Sequence, residues 1–132
     1  MKLIFILMMG AILCGAADPA AMYAQPGAPA SSGVYTAPQA ARGGALYQSK
    51  CASCHNADLS GTGTAPALAG SDFLSNWVSR PVAALFSNIR ASMPSDQPGT
   101  LTAQQAADLI AYLLKANQFP AGKAELPAHG VD

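Results

Sequence analysis

The sequence predicts a small all-α domain, and three observations carry that expectation. Two stretches place apolar side chains at helical spacing, no stretch alternates apolar and polar residues as a half-buried strand does, and alanine fills 28 of the 132 positions. Much of the 51% hydrophobic content is therefore small side chains, while aromatics stand at 7%. Such a domain is short of apolar bulk for its own core, which suggests that a bound group completes it. Seven basic residues balance seven acidic ones, so there is no basic stripe for nucleic-acid phosphates. The length excludes a large two-layer enzyme domain, and three cysteines are too few for a disulfide scaffold.

Residues 1–24 read as a signal peptide. Lys2 precedes an apolar run, Leu3–Leu13, and small residues follow at Gly15, Ala16 and Ala17, giving cleavage near residue 17 or 24. The run is too short for a bilayer, which takes about 20 residues; retention as an anchor is the alternative. Removal takes Cys14 with it and leaves a near-neutral chain with two cysteines and no membrane span, expected in the periplasm. Residues 25–37, rich in Pro, Gly, Ala and Ser, have too little apolar bulk to offset their ordering entropy and read as a disordered linker.

The folded domain is expected over residues 38–120. Its first helix runs from Pro38 to Lys50, with Pro38 where a missing N–H costs nothing and with Gly43 and Tyr47 on one face. Residues 56–71 are a Gly-, Thr- and Pro-rich loop, followed by a short helical stretch over residues 72–77. After Pro81, the spacing of Val82, Leu85, Phe86 and Ile89 marks another short helix, and residues 92–100 are loop again. The last helix opens on a Thr102/Gln105 capping box and carries Ala106, Leu109, Ile110, Leu113 and Leu114 on one stripe. Asn117 and Pro120 stop it, and residues 121–132 read as a flexible tail.

The chemistry concentrates in Cys51-Ala52-Ser53-Cys54-His55. Two thiols separated by two residues and followed at once by histidine are the attachment signal for a c-type haem. Each thiol forms a thioether with one vinyl group, the short turn between them matches the vinyl spacing, and the next imidazole meets the iron. A thioredoxin-like redox pair wants an α/β context that is missing here. A zinc site needs four ligands, and His129 in the tail is the only addition on offer. A Cys51–Cys54 disulfide would leave His55 without a role. For the sixth iron ligand, Met93 is the one methionine of the domain, 38 residues after His55 in the loop Ser92-Met93-Pro94. Packing is the usual work of methionine, but this loop position suits ligation better; His129 is the other donor to weigh. Leu68, Phe73, Trp77, Phe86, Ile89 and Leu109 are expected around the haem. Arg80, Arg90, Lys50 and the Trp77 N–H are the groups to consider for its propionates.

Taken together, these residues resemble the class I c-type cytochromes over residues 41–117. Gly43 and Tyr47 stand where that family has its first-helix glycine and aromatic. Pro66-Ala67-Leu68 resembles the family loop in which the proline carbonyl accepts the proximal imidazole N–H and the leucine packs on the haem. Residues 108–113 resemble the last helix, which crosses the first at the glycine. The resemblance implies a cytochrome c fold, short middle helices and loops wrapped around one covalent haem c, and His55/Met93 ligation. It further implies single-electron transfer rather than catalysis. Residues 117–127 also resemble the tail of cytochrome modules that accompany periplasmic quinoprotein-type dehydrogenases. The expected role is a carrier between such a dehydrogenase and a respiratory-chain acceptor, a terminal oxidase or another cytochrome. A tightly bound subunit of a multisubunit dehydrogenase or oxidase, and a haem sensor or enzyme with an open iron site, are the alternatives.

Overall fold

The computed structural model describes residues 33–128. The expected signal peptide, most of the expected linker, and His129 lie outside those residues. The described residues form five helices and no strand: α1 (Ala37–Lys50), α2 (Ala52–His55), α3 (Ser71–Trp77), α4 (Val82–Ser92) and α5 (Ala103–Ala116). None of these helices is long and apolar enough to cross a membrane.

The frame is the crossing of α1 over α5, the most extensive contact between elements. The Thr36 hydroxyl oxygen caps α1 by accepting the Gln39 N–H at 3.3 Å, and Pro38 occupies the first turn. The Thr102/Gln105 capping box of α5 forms as expected, with both reciprocal hydrogen bonds present. The two helices meet at Gly43, where a Cβ would overlap the carbonyl oxygen of Asp108. Only glycine permits that approach. One turn on, Tyr47 packs against Tyr112 with ring centroids 5.2 Å apart. On the flank of the crossing, Arg42 donates from Nε and Nη2 to the two oxygens of the Asp108 carboxylate, each at 3.0 Å. Gln104 donates to the same carboxylate at 2.8 Å, so its burial is matched by partners. Helix α4 packs on the other side of α5, with Leu85, Phe86 and Ile89 buried.

The domain extends further at both ends than the sequence suggests. Tyr35, placed in the linker, is buried, and its hydroxyl donates to the Phe119 carbonyl at 2.7 Å. Leu126, placed in the free tail, is also buried. Its carbonyl accepts from Gln39 Nε2 at 3.0 Å, and its N–H donates to Gln39 Oε1 at 2.7 Å. A single apolar residue among prolines and glycines carries no period, so this two-way amide clasp left no pattern to read. Burial raises the Tyr35 hydroxyl above its ordinary 10.0. The neutral form therefore stabilises the fold below pH 10.0, and this contribution is lost as pH rises through the higher folded value. Tyr35→Phe should lower stability by about 1 kcal/mol at neutral pH and flatten the loss above pH 10.0. Urea unfolding at neutral and alkaline pH checks both effects.

Candidate haem site

Helix α1 delivers the motif directly. Cys51 ends it, with its N–H bonded to the Tyr47 carbonyl at 2.9 Å, and the single turn of α2 carries Cys54 and His55. Tyr47 ties this turn down from below: its hydroxyl donates to the Asn56 carbonyl at 2.7 Å and approaches that of His55 at 3.3 Å. Burial pushes the Tyr47 hydroxyl up to about 12, which keeps it a neutral donor. Both thiols are free, Cys51 half-buried and Cys54 exposed. Burial, and then the neighbouring Cys54, push the Cys51 thiol up to about 11.

His55 is buried, and its Nδ1 lies 2.8 Å from the Pro66 carbonyl oxygen. A carbonyl can only accept, so Nδ1 carries the proton and the lone pair is left on Nε2. The loop that brings Pro66 there is closely built. The Gly61 N–H donates to the His55 carbonyl at 3.0 Å, and the Leu68 N–H donates to the Leu59 carbonyl at 2.9 Å. Gly61 has φ +74°, and a Cβ there would press into the backbone of residues 65–67.

These elements enclose a cavity of about 570 Å³, within the range of about 300–1,000 Å³ usual for small-molecule and cofactor pockets. Cys51, Cys54, His55, Pro66, Leu68, Trp77 and Met93 all line it, so the fold brings the two thiols, both candidate iron ligands and these three neighbours to one place. Ile89 and Leu109 line it as expected, and Leu85 and Leu113 join them from the same two helix stripes. Phe73 and Phe86 do not line it; both are buried in the core. The propionate candidates also change. Arg80 stacks over the Trp77 ring with Cζ 5.3 Å from its centroid, and neither Arg80 nor Arg90 lines the cavity. Lys50 does line it, together with the neutral polar Asn88 and Gln97, which the periodicity gave no reason to choose.

The donor chemistry fits a c-type haem: two thiols one turn apart, an imidazole with only Nε2 uncommitted, a thioether, and apolar walls. Zinc has no comparable set, since no group of three metal-ligating side chains of the His, Cys, Asp and Glu types gathers among the described residues. The family described as cytochrome c oxidase, cbb3-type, subunit III matches residues 38–113. The chain belongs to this family of c-type cytochrome domains. It is thus a monohaem class I c-type cytochrome, an all-α electron-transfer protein. Among solved structures it is similar to the sulfane dehydrogenase SoxCD from Paracoccus pantotrophus, at 28% identity and a TM-score of 0.51. That match covers 70% of this chain and 50% of the other, so the cytochrome spans half the length of the chain it matches. No curated protein matches it.

Proposed function

We propose that this cytochrome is an exported single-electron carrier whose iron is held by His55 and Met93. One observation carries the reading: His55, with Nδ1 already engaged by Pro66, and Met93 line the same cavity as the two thiols. Cys51 and Cys54 would hold haem c through thioethers, and the group supplies a one-electron iron couple when bound. His55 presents Nε2, and its bond to Pro66 fixes the ring orientation and strengthens the imidazole as an iron donor. Met93 offers a soft thioether, which favours the reduced metal. Leu68, Leu85, Ile89 and Leu109 exclude water, which disfavours the more highly charged oxidised state. With both side chains engaged no coordination position stays open, so the chain passes electrons and does not bind substrate. The oxidised holoprotein should show the far-red methionine–iron absorption band, and a spectrum without it would overturn the ligation.

The donor is a dehydrogenase, quinoprotein-type on the resemblance of the tail, and the acceptor is a terminal oxidase or another cytochrome. With seven charges of each sign in the sequence, docking is weak and transient and its rate depends little on salt. A second reading, a cytochrome that stays bound as a subunit, is supported by the similarity to a chain of the sulfane dehydrogenase and by the oxidase-subunit family. Purification from the native host separates the two: stoichiometric association with a dehydrogenase or oxidase selects the subunit, and a free monohaem protein selects the carrier.

A further inference from the structure

Asn117 follows α5 and stops the helix, but a helix stop needs only one of the bonds it makes. Its Nδ2 donates to the Leu113 carbonyl at 2.9 Å, which caps α5. The same nitrogen donates to the Leu68 carbonyl at 3.0 Å, and Oδ1 accepts the Gly70 N–H at 3.0 Å. These two bonds reach 49 and 47 residues back along the chain, into the loop that carries Pro66. Leu68 is thereby held from both sides, by Asn117 at its carbonyl and by Leu59 at its N–H. Pro66 lies two residues earlier, so its carbonyl is placed against His55 Nδ1 by a segment anchored to the end of α5.

We infer that Asn117 is a positioning residue for the axial histidine: it clamps the Pro66–Leu68 segment and so sets the hydrogen bond that orients His55 and tunes the iron. The inference rests on His55 being an iron ligand, and it adds a remote residue that controls that ligand. Asn117 is not bonded to His55 and does not itself line the cavity; it reaches the site only through the backbone of Leu68 and Leu113, which do. Its influence therefore shows in the state of the imidazole rather than in the presence of the cofactor. Weakening the Nδ1–H bond to Pro66 makes the imidazole a poorer donor to the oxidised metal, which raises the reduction potential.

The test uses the reduced holoprotein, whose His55 Nδ1 proton is followed by NMR. Asn117→Ala should speed exchange of that proton with solvent about tenfold, as loss of the restraint on one hydrogen bond allows, and should raise the reduction potential. Thr102→Ala loosens the opposite end of the same helix and should change neither readout. If Asn117→Ala yields no holoprotein, Asn117→Asp, which keeps an acceptor for Gly70 but loses the donor to Leu68, is read by the exchange of the His55 Nδ1 proton alone, because its added negative charge itself lowers the potential. Exchange and potential equal to those of the wild type in the Asn117 variant, or changed equally by Thr102→Ala, would overturn the clamp. The far-red band of the wild type reads Met93 ligation separately, so its absence would defeat that assignment and leave the His55 measurement standing.

Discussion

Replacing Gly43 with valine should unfold much of the domain at temperatures the wild type tolerates. The glycine faces the Asp108 carbonyl across the α1–α5 crossing, and a Cβ would occupy the same space as that oxygen. Backbone cannot yield as a flexible side-chain tip does, so the helices must separate. Separation would strip the Tyr47–Tyr112 contact and the Arg42–Asp108 fork together. Overpacking in a close-packed interior costs up to about 3 kcal/mol, and loss of these contacts adds to it. For a domain of this size that lowers Tm by roughly 10 °C or more. Thermal unfolding of the holoprotein followed by circular dichroism checks it. A Tm close to that of the wild type would mean that the crossing is not the rigid frame described here.

The largest functional effect belongs to Met93. Met93→Ala should abolish the far-red band, let the reduced protein bind carbon monoxide, and lower the reduction potential by on the order of 0.2 V, within the ~0.8 V range that axial ligands command. Fold stability should change much less, because Met93 is only partly buried and sits in the loop after α4. The comparison of spectrum and Tm in one variant separates a ligand from a packing residue.

Some of this was legible in the sequence for plain physical reasons. The motif from Cys51 to His55 constrains covalent geometry, so spacing alone reveals it. The α5 stripe is regular because one face is buried along its whole length. The Pro66 bond to His55 and the Gly43 crossing were implied only by resemblance, and the structure shows both. Other features had no local signature. Thr36 and Gln39 repeat the spacing of the Thr102/Gln105 capping box, but Gln39 turns its side chain to Leu126 instead of to its own cap. Asn117 looked like a helix stop because its two long-range bonds end on backbone groups, which any sequence supplies. Phe73 and Phe86 were expected at the haem because size and apolarity say that a side chain is buried without saying against what. The early shortage of apolar bulk has its counterpart in the cavity of about 570 Å³ beside α5.

In the proposed ligation, His55 and Met93 together close the coordination sphere of the iron. Carbon monoxide added to the reduced wild-type holoprotein reads that closure directly. An unchanged absorption spectrum is the predicted result. Rapid formation of a carbon monoxide complex would contradict it, showing an iron position that neither side chain fills.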